Sequence, residues 1–539
     1  MNRLGTVLAD LTPASSAVAP GVATSILEGG EESERLIFGH ADINSGQPID
    51  AHTRFHIVSA GKPFVAAALL ILQADGRLSL NDDVRDYLPE FTLPHPVQLH
   101  HLLSMTSGLQ DSLEILRLAG QWYARPGTEQ ACLALGMKAQ QSPTPPGHVY
   151  RYNNFNIVLL NEVIRRASGM ARDQFYQERL FGPAGLVDTM VRADEETATA
   201  NLATGYVADG DGWVPGAHLL GIAGDVFVSS LADMVVWLKR LRIGRLGTVA
   251  LTDLMRRRAT LAAGGAAYYG LGLAVRRWHG HTVFCHSGSQ PGYKTHIAYC
   301  PDKDIGFVML SNNEHAAPAP RFTRLLQDAV GATKSSVTAS AALPPPGLYL
   351  GDRNREPLWL TGDNKTGLRV ESLGDPVTLA PAGHGTGWRA TEEYSATQPV
   401  ELIPTAGGDG FVADFAGHRD QYRPAAACTL TPNECRQIIG DYRIPATGEA
   451  LRIVAAADGG LAALYDRLTD SDNVFPLEVL AHDVLLARPR APGIDYKHLF
   501  CVQRDDTGAV VGLRVRMERL KDYFLPRQLQ SKFRPYGTV

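Results

Sequence analysis

Apolar positions follow two different rhythms along this chain, and the change between them divides it near residue 333. In the first part, strand-like segments at 22–27 (VATSIL) and 36–39 (LIFG) are joined by stretches whose apolar residues recur every three or four positions. Phe64, Ala67, Leu70, Ile71 and Ala74 mark one helix face, and residues 156–166 (NIVLLNEVIRR) and 232–241 (ADMVVWLKRL) show the same spacing. Two β-rich runs, 269–275 and 296–310, lie either side of the turn-forming SGSQPG, and helical spacing returns over 321–330. Strands at both ends with helices between predict an α+β or α/β domain over 1–333.

The texture then changes. Residues 334–346 (KSSVTASAALPPP) are small and proline-rich, the composition of a linker. Beyond them, short alternating runs separated by Gly, Asp and Pro continue to the end, among them PLWLTG, GLRVESL, LRIVAAADGG and GLRVRME. Such spacing predicts antiparallel barrels. Tyr349-Leu-Gly-Asp and Ile439-Gly-Asp-Tyr442 open two stretches of similar layout, with a break between Pro424 and Pro432. Two small barrels are therefore expected, over 347–424 and 425–539, with one larger sandwich as the alternative.

Composition narrows the partners. A chain of 539 residues that is 45% hydrophobic and 20% charged is globular and needs more than one core. A net charge of −5, without a basic stripe, speaks against nucleic acid. No apolar run is long enough to predict a membrane span, and the N-terminal stretch lacks the apolar centre of a secretory signal. The six cysteines are scattered without C-x-x-C, which suits free thiols in a reducing compartment. A cytoplasmic address is expected.

The helix pattern that follows Phe55-His-Ile-Val opens on the sharpest chemical signal, Ser59-Ala-Gly-Lys62. Positions three apart share a helix face, so the Lys62 amine is expected beside the Ser59 hydroxyl, able to take its proton. Ser59 is the one serine in the chain with a lysine three residues later. Tyr152-Asn153-Asn154 precedes the 156–166 helix. Tyr152 offers a second acid/base and Asn154 an amide anchor for a substrate; the plainer reading is a partly buried ring and a helix cap. His286-Ser287-Gly288-Ser289 follows a strand at 281–285. Gly288 permits close backbone approach and the Ser289 amide can face an oxyanion; the plainer reading is a histidine beside a glycine turn. His279, His281 and His286 cluster near Cys285, but in no familiar zinc spacing. Neither a metal nor another cofactor is expected.

Taken in order, these pieces resemble the serine β-lactamase and penicillin-binding-protein family, in its class C branch. Ser59-x-x-Lys62 is similar to the family's S-x-x-K, Tyr152-x-Asn154 to its Y-x-N, and His286-x-Gly288 to a variant of its K-T-G. Residues 76–84 (GRLSLNDDV), 87–91 (YLPEF), 102–109 (LLSMTSGL) and 269–273 (YGLGL) fit the same family, over roughly residues 15–333. The resemblance implies an α+β fold, an antiparallel sheet flanked by helices plus an all-helical subdomain. It also implies a serine hydrolase that works through an acyl-enzyme. Ser59 would be the nucleophile, Lys62 and Tyr152 would share its proton, and His286 would orient Tyr152 or protonate the leaving group. Asn154 and Ser289 would bind substrate.

A catalytic domain followed by two barrels is similar to the bacterial D-aminopeptidases within that family. This implies small amides or short peptides as substrates, with esterase or β-lactamase activity as near alternatives and a non-turnover acyl binder as a more distant one. No nucleic-acid or membrane partner is implied, and a homodimer is compatible with the resemblance. The second barrel would send a loop to the active site, here 487–497, with Arg488, Arg490 and Asp495. Asp495 would meet a substrate amine, whereas the two arginines would favour an acidic or neutral substrate.

Overall fold

The structure, a computed structural model, describes residues 3–11, 18–120, 129–141, 144–192, 198–210, 212–216, 226–262, 264–278, 280–330, 344–363, 367–374, 376–381, 387–390, 400–405, 407, 409–415, 417–465, 474–491 and 494–528. In the first part of the chain the strand segments form one antiparallel sheet. Its strands are β1 (Val22–Glu28), β2 (Glu31–Phe38), β3 (Ala274–Trp278), β4 (His281–Gln290), β5 (Tyr293–Cys300) and β6 (Ile305–Ser311), in the order β3-β4-β5-β6-β1-β2. The two ends of the domain meet where β1 pairs with β6, Val22 opposite Ser311 and Glu28 opposite Ile305.

The helices used below are α1 (Lys62–Ala74), α2 (Ser112–Leu118), α3 (Phe155–Ser168), α4 (Leu231–Ile243) and α5 (Pro318–Val330). Successive residues of a strand point to opposite faces, and β6 shows both covered. Gly306 lies against Leu238 of α4, and Phe307 stacks on Phe322 of α5 at 5.7 Å. Burial on both sides explains the near-continuous apolar character of β1 and β6. Helices α1 to α3, with two more at Leu99–Leu103 and Glu129–Lys138, build a helical subdomain beside the sheet. The expected helices are present with slightly wider bounds, because capping sets their ends. Ser230 accepts the Asp233 amide at the start of α4, and Gly169, with φ 71°, stops α3.

Two β expectations need correction. SGSQPG is not one turn, since β4 runs through His286-Ser287-Gly288-Ser289 to Gln290 and only Pro291-Gly292 turn. Residues 269–273 are not strand either; β3 starts at Ala274. Gly272 has φ 71°, and a Cβ there would stand 2.8 Å from the Lys62 carbonyl, so this segment is a close-packed bend beside α1.

The C-terminal part holds two eight-stranded sheets, not one sandwich. In the first, Gly347–Gly351 pairs with both Pro357–Asp363 and His418–Pro424, closing a barrel. The second runs from Gly440–Arg443 to Tyr523–Pro526, and a bridge between Tyr442 and Arg527 joins its ends. Of the expected linker, 334–343 lies outside the described residues.

The second barrel is anchored to the helical subdomain, and the first to the second. Ile115, Leu118 and Ala119 enter the apolar core of the second barrel beside Tyr442, Leu513 and Leu520. Between the barrels, buried Glu356 accepts from Lys521 Nζ at 2.6 Å and Arg516 Nη1 at 3.0 Å. Burial alone would raise its pKa, but the two cations hold it down at about 2.

Candidate active site

The nucleophile segment is built by a strand that cannot continue. Arg54–His56 pairs with Phe227–Ser230, and the chain then tightens into a 3₁₀ turn, Val58–Gly61, before α1. Val58 has φ 51°, a left-handed conformation that a β-branched residue avoids. The strain sits next to Ser59, where neighbouring structure over-determines the backbone. A Cβ on Gly61 would lie 2.5 Å from the Phe227 ring, so only glycine fits there. Lys62 follows as the first residue of α1, 1% exposed, and its Nζ lies 2.8 Å from Ser59 Oγ. The expected hydroxyl–amine contact is formed.

Tyr152 stands on the other side of Lys62, whose Nζ is 5.1 Å from the centre of its ring. The loop carrying it is fixed by backbone bonds from Arg151 to Met105 and from Gly147 to Thr106, both 2.8 Å. Asn153, not Asn154, serves the helix start. Its Oδ1 accepts the Phe155 amide and its Nδ2 donates to the Leu109 carbonyl, each at 2.8 Å. Asn154 is thereby released for the cleft. Its backbone and side-chain N–H groups face Asp111 Oδ2 at 3.2 and 3.5 Å, and its buried Oδ1 has no hydrogen-bond partner. An unpaired buried acceptor costs free energy unless a ligand donates to it.

β4 forms the third side. Its pairing with β3 ends at Cys285, whereas its pairing with β5 continues to Gln290, so the edge of 286–290 has no strand on the β3 side. A Cβ on Gly288 would meet the Ile57 carbonyl oxygen at 2.2 Å and Thr295 Oγ1 at 2.3 Å. Glycine is required there for β4 to press against the nucleophile turn. Ser289 Oγ accepts from Lys294 Nζ at 2.8 Å, and Lys294 is paired with Glu314 at 2.5 Å.

His286 is placed among these groups with its bonding already committed. Nδ1 lies 2.8 Å from the Ser287 carbonyl, so it carries the proton, and Nε2 accepts from the Tyr269 hydroxyl at 2.7 Å. Burial, with help from Lys62, pushes its pKa down to about 3. Its ring lies 6.2 Å from that of Tyr152. A neutral imidazole turned toward Tyr269 is a support for the wall; its one proton is directed at Ser287 rather than at a leaving group.

The cavity in front of Ser59 measures about 770 Å³ and is also lined by both barrels. The first contributes Glu371, Leu373, Gly374 and Pro376. The second contributes Arg488, Tyr496 and Lys497 from the anticipated hairpin, and Met517, Glu518 and Arg519 from a turn that nothing in the sequence marked. The side chains of Arg490 and Asp495 lie outside the described residues. His279 lies outside them too.

The 517–522 turn is held by two glutamines, each bonding both ways to backbone. Gln110 donates to the Lys521 carbonyl at 2.6 Å and accepts its amide at 3.1 Å; Gln141 does the same at Phe524, at 3.4 and 3.0 Å. Arg519 is carried to 5.3 Å from the centre of the Tyr152 ring. Burial works against its charge, but Glu518, Glu114 and Asp111 keep its pKa raised. Among the described residues, each of the four carboxylates on the cavity wall faces a cation: Glu114 with Arg117 at 2.6 Å, Glu314 with Lys294 at 2.5 Å, Glu371 with Lys497 at 3.0 Å and Glu518 with Arg519 at 3.4 Å. Arg276 and Arg488 also line the wall, and Arg488 is paired with Glu478 outside it at 3.5 Å.

Residues 9–332 match the Beta-lactamase family. The chain belongs to the beta-lactamase family. A D-aminopeptidase of Brucella anthropi is 27% identical to this beta-lactamase-family chain over 515 residues, covering 92% of it and 93% of the relative. A D-aminopeptidase of Cereibacter sphaeroides is 26% identical over 506 residues, with the same coverage of 92% and 93%. Among solved structures, SurE matches with a TM-score of 0.52 at 18% identity, over 98% of each chain. The D-amino acid amidase of Ochrobactrum anthropi SV3 matches with a TM-score of 0.50 at 23% identity, over 61% of this chain and 98% of its own. These structures share the fold. The family and its D-aminopeptidase members make this protein a serine hydrolase.

Proposed function

We propose that the protein is a D-stereospecific aminopeptidase or amidase that cleaves small amides and short peptides through an acyl-enzyme on Ser59. The observation that carries this reading is the 2.8 Å contact between Lys62 Nζ and Ser59 Oγ, facing a cavity shared with Asn154 and Ser289. The D-aminopeptidase relatives and the amidase fold support the choice of substrate.

Ser59 Oγ attacks the amide carbonyl, and its proton passes to the Lys62–Tyr152 pair. The backbone amides of Ser59 and Ser289 stabilise the oxyanion; losing one such donor costs on the order of 3 kcal/mol. The C–N bond then breaks and the same pair returns the proton to the departing amine. A water activated by that pair hydrolyses the ester and regenerates Ser59. Asn154 Oδ1 accepts an N–H from the acyl side, which satisfies its missing bond. His286 is a positioning residue that acts through Tyr269. All six cysteines are free, which supports a reducing compartment. Among the described residues no helix is long and apolar enough to cross a membrane.

The test compares D-alanine p-nitroanilide, its L isomer, p-nitrophenyl acetate and a chromogenic cephalosporin, with intact mass after each incubation. Turnover of the D anilide, without the L isomer or the cephalosporin, is expected. Turnover of the ester alone would replace this reading with an esterase. An adduct that persists would make the protein an acyl binder.

A further inference from the structure

We infer that this cleft selects acyl donors that carry a carboxylate, and that Arg519 on the 517–522 turn is the residue that holds it. The inference rests on the hydrolase reading and specifies its substrate class. The protein as a whole is negatively charged, at −5, yet the wall of the cavity is not. Among the described residues its four carboxylates are all engaged by cations, Arg488 is paired with Glu478 outside the cavity at 3.5 Å, and Arg276 adds a further positive charge. A substrate ammonium would find no uncommitted carboxylate among the described residues that line the cleft, whereas an anion would find a surplus of cations.

Among those cations Arg519 is placed for recognition. Its guanidinium lies over the Tyr152 ring at 5.3 Å, directly beside the reacting groups. Among the described residues its buried Nε has no hydrogen-bond partner, and its one ion pair, to Glu518, is long at 3.4 Å. A planar fork of five donors, stacked on a ring and loosely paired with one carboxylate, retains donors for a substrate carboxylate. Lys294 and Lys497 are less available, with partners at 2.5 and 3.0 Å.

The position also fits the acyl side. The charges of Asp111 and Glu114 act on Arg519, and Asp111 orients Asn154. A donor whose N–H reaches Asn154 Oδ1 would bring a nearby carboxylate toward Arg519. The guanidinium is delivered by the second barrel through Gln110 and Gln141, so that barrel contributes to selectivity and not only to stability.

Two isosteric substrate pairs test this on the full-length protein. One is the α-p-nitroanilide of D-glutamate against that of D-glutamine; the other is N-succinyl- against N-succinamoyl-D-alanine p-nitroanilide. In at least one pair the anionic member should have the higher kcat/KM, by about tenfold, the scale of a charge-assisted hydrogen bond. The preference should shrink in high salt, a readout that needs no variant. Arg519→Gln should bring the ratio to about one through KM, and Arg519→Glu should invert it. Neither pair favouring the anion, or a ratio unmoved by Arg519→Gln, overturns the inference. If p-nitrophenyl acetate still labels Ser59 in that case, the hydrolase reading survives alone; if it does not, both fall together.

Discussion

The two walls of the cleft are assembled in opposite ways. On the catalytic-domain wall, two of the settings are local in sequence: Lys62 bonds Ser59 one turn away, and Asn153 caps α3 so that Asn154 faces the cleft. On the barrel wall, Glu518 and Arg519 owe their place to Gln110 and Gln141, each about four hundred residues earlier in the chain, and to an apolar seat on α2. The first wall carries chemistry that needs sub-ångström placement. The second carries recognition, which tolerates variation because it is mounted on a turn. Within one site, the serine–lysine pair is local in sequence, and the barrel residues that face it are not.

That contrast can be broken or sharpened by mutation. The largest effect is expected on the first wall: Lys62→Met and Tyr152→Phe should each lower kcat by about 10²- to 10⁴-fold. The double variant should be little worse than either single, because the two act as one proton relay. Additive losses in steady-state kinetics would separate them. Next is Gly288→Ala, which places a methyl 2.2 Å from the Ile57 carbonyl oxygen. β4 or the nucleophile turn must shift, with an expected stability loss of about 1–3 kcal/mol by urea denaturation and a fall in kcat of at least about tenfold.

On the second wall, Gln110→Ala and Gln141→Ala should each cost about 1–3 kcal/mol, as expected for backbone groups left unpaired. Amide exchange in 517–524 should accelerate while Ser59 still acylates. Equal loss of acylation would show that the barrel wall is part of the chemistry after all.

The smallest effect per group is that of pH. His286 and His296 under the first wall, and His418 and His498 in the barrels, have pKa values pushed down to about 3 by burial. Each stays neutral in the fold but takes a proton on unfolding below its ordinary value. Their stability is therefore complete above about pH 6.5 and is lost as pH falls toward 3. At pH 5.5 each should cost about 1 kcal/mol relative to pH 7.5. His418→Gln should flatten the stability profile between those pH values, as measured by chemical denaturation; an unchanged slope would place the protonation elsewhere.

The same division explains what could be read from the chain. Ser59, Lys62, Tyr152 and Asn154 were legible because their relation is helical spacing and strand-to-helix punctuation. The two-barrel layout was legible as repeated short strands. The close approach that Gly288 permits was legible and is to Ile57, but SGSQPG was read as one turn although the strand continues to Gln290. Tyr269 was seen only as framework, although its hydroxyl bonds His286 Nε2 at 2.7 Å. The hairpin at 487–497 was anticipated, and Arg488, Tyr496 and Lys497 do line the cavity. Arg519 was not, since a glutamine that grips a backbone far along the chain leaves no periodic trace.

The most direct test of the central claim is the site of acylation. The protein is mixed with p-nitrophenyl acetate, quenched in acid within the first turnover, digested and mapped by mass spectrometry. The account predicts one acetyl group, on Ser59, absent from Ser59→Ala protein of unchanged fold. Acetylation at another residue, or turnover retained by Ser59→Ala, would contradict it.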